Sequence, residues 1–352
     1  MRRTIKLASL LALVAGISVP AWGVGTSGAQ EHHGSHDTTT TTRPGGTTTT
    51  RPTTTVPQQP GAQTSEIRYG PFNIPAARGE SHSQMGMTGN QFRFFIQKPC
   101  SNCYVTDIKA DLLNASGQVV GARDGLSLHH MLLASWTDRQ DATCYFGFPF
   151  PLGLMFGQRF FASGDERTDI RMPPGYGYRV GAFDTWNLIY DLANMNMSAQ
   201  NVYLKVHYEY VPSSTAGMTN VEPIWLDVAQ CGFSEFARPA GQSQASWSWT
   251  VNRPGNIVAI GGHMHDGGTN IVIRNDSTGQ VICDSRAGYG ETPLYQGHHG
   301  PALSSMSKCT GSRGSPVARI SNGQRITETG YYNMPEAVND QMAITMAFVA
   351  NE

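Results

Sequence analysis

The chain has 352 residues, with 25 Lys plus Arg set against 26 Asp plus Glu, a formal net charge of −1. That balance excludes the basic footprint a nucleic-acid-binding protein needs. Charged residues make up only 14% of the sequence, while Gly (39) and Pro (20) are frequent, so the pattern is turn-rich rather than that of long solvated helices.

Residues 2–29 read as an export signal. Arg2, Arg3 and Lys6 form a basic start, Leu7 to Val19 an apolar run, and small residues follow, with cleavage expected after Gly23 or Ala29. The apolar run is too short to favour a permanent membrane span. Arg2-Arg3 also permits the twin-arginine route. Residues 30–65 hold TTTTTRPGG, TTTTRP and TTTVPQQPG. Thr/Pro composition cannot build a core, so this stretch is expected to be a disordered, partly extended stalk. It opens on Glu31-His32-His33, which fits a solvated tail. With cleavage after Ala29, His32 would be the third residue of the mature chain and could chelate Cu(II). A secreted or cell-envelope location follows from the signal. In that setting Cys100, Cys103, Cys144, Cys231, Cys283 and Cys309 read first as disulfides. Position alone suggests Cys144 with Cys231 and Cys283 with Cys309; Cys100-x-x-Cys103 could instead be a redox or metal pair.

From residue 66 onward, short alternating runs are punctuated by Gly, Pro, Asn and Asp. Strands are predicted in 91–97, 104–113, 126–135, 176–186, 201–211, 247–265, 269–276, 279–285, 325–332 and 341–350. Such spacing predicts an all-β chain of β-sandwiches. PSSTAGMTN (212–220) is the expected seam, giving domains 66–215 and 216–352.

Five histidines and one methionine carry the chemistry. Adjacent residues on a strand point to opposite faces, so His129 and His130 can serve one metal only if the backbone bulges there. His207 sits among Val202, Leu204, Val206 and Tyr208, out of phase with that apolar row, and so points to solvent or a cleft. His263 and His265, two apart in GGHMHDGG, share a face and can grip one ion, with glycines allowing close approach. Met342 is in phase with Ile344, Met346 and Phe348, which fits a core residue as well as a ligand. His298-His299, in a Gly-rich loop, fits a surface or cleft-lining pair. No hydrolase elbow and no phosphate-cradling Gly loop occur.

Taken in order, HH, VHY, HxH and a late Met resemble the copper type II, ascorbate-dependent monooxygenases, the peptidylglycine α-hydroxylating and dopamine β-hydroxylating enzymes. The stretch from Pro99-Cys-Ser-Asn-Cys103 to His129-His130, and the ending through Tyr331-Tyr332 to Met342, are also similar to plant stress-up-regulated nodulin-like proteins. The resemblance implies two jelly-roll-like antiparallel β-sandwich domains and two copper ions. His129, His130 and His207 would hold the electron-transfer copper. His263, His265 and Met342 would hold the catalytic copper, where O2 reacts; a thioether suits Cu(I). Ascorbate or a similar donor would supply electrons to hydroxylate a C–H bond of a small or medium organic substrate. Peptide-amidating members place an Arg two residues before HxH and a Tyr four residues after the Met. Gly261 and Met346 stand there instead, which argues against a peptidylglycine substrate. The alternative is a non-catalytic copper-binding or cell-surface β-sandwich protein.

Overall fold

The structure, a computed structural model, describes residues 58–136, 140–144, 157–231, 234–297 and 299–352. The expected export signal, the stalk through residue 57 and His298 lie outside the described residues.

The chain is all-β. Three one-turn 3-10 segments are the only helical pieces among the described residues. The central layer is a ten-stranded sheet. Its order runs Gln63–Ile74, Gln200–Pro212, Cys103–Asn114, Tyr176–Val180, Thr219–Asp227, Ala343–Ala350, Gly255–Met264 and Lys308–Thr310, with two short strands on its sides. One five-stranded sheet contains Leu126–Ser135, Trp186–Asn194 and Gln158–Ser163; another contains Gly241–Thr250, Arg325–Met334, Gly268–Asn275 and Gln280–Tyr289.

Period-two patterning builds both cores. In Gln200–Pro212, Val202, Leu204, Val206 and Tyr208 are buried while Tyr203, Lys205 and His207 are partly exposed. The first core gathers those four with Leu128, Met131, Phe160, Trp186 and Trp225. Each fully buried side chain of this size contributes about 1.5–3 kcal/mol. The second core holds Ile260, Met264, Ile271, Ile273, Ile326 and Tyr332. Strand Ala343–Ala350 feeds both: Ile344, Met346 and Phe348 pack into the first, Ala343, Ala347 and Val349 into the second. Thr219–Asp227 divides likewise, Val221 and Trp225 against Ile224 and Leu226. The predicted seam falls between the strands ending at Pro212 and beginning at Thr219, and the central sheet draws strands from both sides of it.

Two predicted strands are each two strands. Residues 176–186 break after Val180, where the Asp184 carboxylate accepts the Gly181 N–H at 2.8 Å, and a new strand starts at Trp186. Residues 247–265 break at Val251–Pro254, so GGHMH belongs to the central sheet rather than to the outer one that holds Gly241–Thr250. The segments 63–74, 158–163 and 219–227 were not expected as strands. Trp186–Asn194 is buried at every position, so it offers no alternation to read. Three disulfides, Cys100–Cys103, Cys144–Cys231 and Cys283–Cys309, use all six cysteines.

Candidate metal centre

Leu126–Ser135 carries the adjacent histidines, and its ladder with Trp186–Asn194 slips at them. Ser127 faces Ala193 but His130 faces Asp191, three steps against two. The extra residue is a β-bulge, which re-aims side chains. It brings the His129 and His130 rings to 5.3 Å between centroids. Asp165 pins it from the next connection: its carboxylate accepts the Leu128 N–H at 2.9 Å and the Ser127 hydroxyl.

The second pair lies where Gly255–Met264 runs out. His263 faces Ile344 on the neighbouring strand. Cross-strand partners share a face, so the His263/His265 row and the Met342/Ile344 row lie on one side. Gln341 fixes the end of this row. Its side-chain oxygen accepts the backbone N–H groups of His265 (3.1 Å) and Met342 (3.0 Å), and its amide donates to the Asp266 carbonyl (2.9 Å).

The two elements meet. His265 lies 4.0 Å from His129 and 6.1 Å from His130, centroid to centroid. One nitrogen each from His129, His130 and His265 falls within 4.8 Å of the others, a spacing that fits a single metal ion. The nitrogens themselves carry the stronger argument. His129 Nδ1, His130 Nδ1, His263 Nε2 and His265 Nε2 are buried with no hydrogen-bond partner among the described residues. Buried polar atoms are normally satisfied. On three of these rings the opposite nitrogen is engaged. His130 Nε2 donates to Asn90 Oδ1 (2.8 Å), His265 Nδ1 to the Asp340 carbonyl, and His263 Nδ1 to the Glu166 carboxylate (3.0 and 3.1 Å). Those acceptors fix the tautomer, so in each neutral ring the free nitrogen presents its lone pair, the arrangement that outer partners impose on metal-binding imidazoles.

Electrostatics agree. Burial, together with neighbouring His263 and His82, drives His129 down to about 3. Burial and the adjacent imidazoles hold His130 and His265 well below the ordinary histidine range. The rings are therefore neutral and available as ligands. Negative charge surrounds them: Asp191 stands 3.9 Å from His129 Nδ1 and Asp340 3.8 Å from His129 Nε2. Glu235 completes a second close set with His129 and Asp191, and burial beside Asp191 and Asp340 pushes it up to about 7. For Glu166, burial opposes ionisation. The contact with His263 and the Gly164 N–H outweigh it, and the carboxyl lies below its usual range.

Thus His129, His130 and His265 come together. His263 and Met342 line one cavity with His130, walled by Phe92, Trp225 and Ile344. His207 is not brought to His129 and His130. It faces Glu66 across the ladder, 3.8 Å away, on the outer side of the central sheet, with the first core between it and the cluster. His299 is exposed. Asn90, Asp165, Glu166, Asp340 and Gln341 were missed. Their partners are 40, 37, 97, 75 and 76 residues away, and no local spacing marks such contacts.

An all-β fold with a buried imidazole cluster beside an apolar-walled cavity has informative relatives. The family Stress up-regulated Nod 19 (SURNod19) matches residues 199–352. Over 303 residues the chain is 27% identical to "Probable copper-dependent oxygenase M1" of Phoma sp., covering 81% of this chain and 72% of that protein. Over 261 residues it is 28% identical to "Probable copper-dependent oxygenase clz3" of Cochliobolus lunatus, covering 69% and 78%. Among solved structures, PNGF-II aligns over 81% of this chain and 65% of its own, at 7% identity and a TM-score of 0.42, too low to carry an argument.

Proposed function

We propose that the protein is an exported copper-dependent oxygenase that hydroxylates a C–H bond of a mainly apolar organic molecule. O2 and an external reductant such as ascorbate would be its co-substrates. The observation that carries this reading is the convergence of His129, His130 and His265, each with an unpartnered buried nitrogen. The donor set fits copper: imidazoles suit both of its oxidation states, and the Met342 thioether in the adjoining cavity suits Cu(I). Because His265 joins His129 and His130 while His207 stands apart, the geometry favours one ion in this cluster over the two separate ions that the resemblance implies. Copper bound here would supply the one-electron chemistry that O2 reduction requires. The chain's own residues orient two of the three rings, His130 through Asn90 and His265 through the Asp340 carbonyl, keep the rings uncharged by burial, and exclude water with an apolar wall. The relatives' names support copper and oxygenase chemistry at the level of the family. Three disulfides and the N-terminal apolar run support export.

The test is metal analysis of the chain followed by ascorbate-dependent oxygen uptake. One copper per chain is expected. It should be lost in His129→Ala, His130→Ala and His265→Ala and kept in His207→Ala. Failure to retain copper would sink the reading. Copper retained without oxygen uptake would favour the non-catalytic alternative.

A further inference from the structure

Apart from its imidazoles, the cavity wall holds three polar side chains among the described residues, Asn90, Arg159 and Ser234. Two of them are engaged. Asn90 accepts from His130 and is bonded to Glu235, and the Ser234 hydroxyl donates to Asp227. Arg159 is only partly engaged. Its side chain is 7% exposed and lays the guanidinium over the Trp225 ring at 4.4 Å, beside Leu132, Ala162 and Ile189 of the same wall. Nε donates to the Asp141 carboxylate at 2.7 Å, and Nη2 reaches Cys144 Sγ, a weak acceptor, at 2.9 Å. Nη1 has Asp227 Oδ2 at 3.9 Å, beyond hydrogen-bond reach. Asp227 is itself committed: Oδ2 accepts the Trp225 indole N–H at 3.2 Å and the Ser234 hydroxyl, and Oδ1 accepts the Ala229 N–H at 2.8 Å. Donor capacity therefore remains at Nη1, and the indole face fixes the plane in which it points.

Charge decides which acceptor fits. Burial opposes ionisation of Asp141, but Arg159 and Thr143 outweigh it, and the carboxyl lies below its usual range. Arg159 and Asp141 thus form a neutralised buried pair, with the Asp227 carboxyl on the other side of the guanidinium. An entering carboxylate would set a second anion against one guanidinium and would leave water without a net attraction to offset that loss. A neutral carbonyl oxygen loses far less on leaving water and still accepts an N–H.

We propose that Arg159 donates a hydrogen bond through Nη1 to a neutral carbonyl oxygen of the substrate, which is therefore an apolar ketone, ester or amide rather than an acid. This assignment rests on the oxygenase reading for its biological meaning but is tested by binding alone. The copper-loaded full chain, without reductant, is equilibrated with cyclohexanone and with methylenecyclohexane, which has the same shape but no acceptor. Headspace gas chromatography measures the free ligand. The test variant is Arg159→Met combined with Asp141→Asn, which removes both charges of the buried pair and leaves neither uncompensated. The ratio of ketone to hydrocarbon affinity should fall about tenfold in that variant, the discrimination expected of one buried hydrogen bond from a charged donor. Asp141→Asn alone keeps the donor and should keep the ratio. It should also strengthen binding of cyclohexanecarboxylate, read by equilibrium dialysis, by about tenfold, because the guanidinium is then no longer neutralised by its partner. Copper content and the cupric EPR spectrum should be unchanged in both variants. A ratio unchanged in the double variant would overturn the proposal. So would a wild type that binds the carboxylate more tightly than the ketone and loses that binding in the double variant. Should the double variant fail to fold, the carboxylate arm in Asp141→Asn decides, and no gain there overturns the assignment. A ratio that falls as expected in a chain that consumes no oxygen would leave this assignment standing and remove the oxygenase reading.

Discussion

The imidazoles of His129, His130 and His265 are uncharged in the fold because burial penalises the imidazolium form. An unfolded histidine titrates near 6.5, whereas His129 in the folded chain moves down to about 3 and the other two move the same way. Between those values the unfolded chain binds more protons than the folded one, so stability rises with pH across that window and falls as the solution is acidified. The metal-free protein should therefore lose stability steadily from about pH 6.5 toward pH 3. Urea midpoints at pH 7, 5.5 and 4.5 measure this, and replacing the three rings together should flatten the trend. Midpoints equal at all three pH values would contradict it. Gly164 gives a second test at this scale. Alanine there presses a methyl group against His263 and Glu166, and such overpacking costs about 1–3 kcal/mol. A lower melting temperature is expected, together with a loosened His263 ring.

The bulge in Leu126–Ser135 depends on one carboxylate from outside the strand. Asp165→Ala would leave the Leu128 N–H buried without its acceptor, which costs about 1–3 kcal/mol. It would also free the register that aims His129 and His130. Weaker copper retention with a lower melting temperature is the expected outcome. A melting temperature that falls while copper is held as tightly as before would show that the bulge does not need Asp165.

Legibility differs from element to element for physical reasons. The Met342 row followed from strand periodicity, and Met342, Ile344, Met346 and Phe348 share the first core; the ladder pairs His263 with Ile344 and ends at Met264, one residue short of His265. His207 was in the right phase, but phase alone does not say whether an outward side chain meets a cleft or water. The adjacent histidines raised the need for a bulge, yet the acceptor that stabilises it comes from the separate Gly164–Glu166 turn. Which strand belongs to which sheet was hidden in 247–265, because a four-residue turn through Arg253-Pro254 sends one continuous apolar pattern into two layers.

At the scale of the whole molecule, the two cores are joined by strands rather than by a linker. Thr219–Asp227 and Ala343–Ala350 place alternate side chains in each. Residues 58–352 should consequently melt in one calorimetric transition, with a calorimetric enthalpy equal to the van't Hoff value. Two resolved transitions would mean that the cores fold separately. Cys283–Cys309 adds a covalent tie from the outer sheet to the central one. Its 26-residue separation corresponds to about 3–4 kcal/mol of denatured-state restriction, so replacing both cysteines by Ala should lower stability by roughly that amount.

The doubly buried strand Ala343–Ala350 also restricts how this chain can vary in length. One residue inserted after Met342 would shift every later side chain to the opposite face. Ile344, Met346 and Phe348 would be driven into space now filled by Ala343, Ala347 and Val349, and the small residues would leave voids on the first side. An insertion of two would restore the faces but displace the Gln341 clamp, and with it His265, by about 6–7 Å along the strand. Length variation among related chains should therefore stop short of this strand and accumulate instead in the surface turns, such as Ser213–Met218.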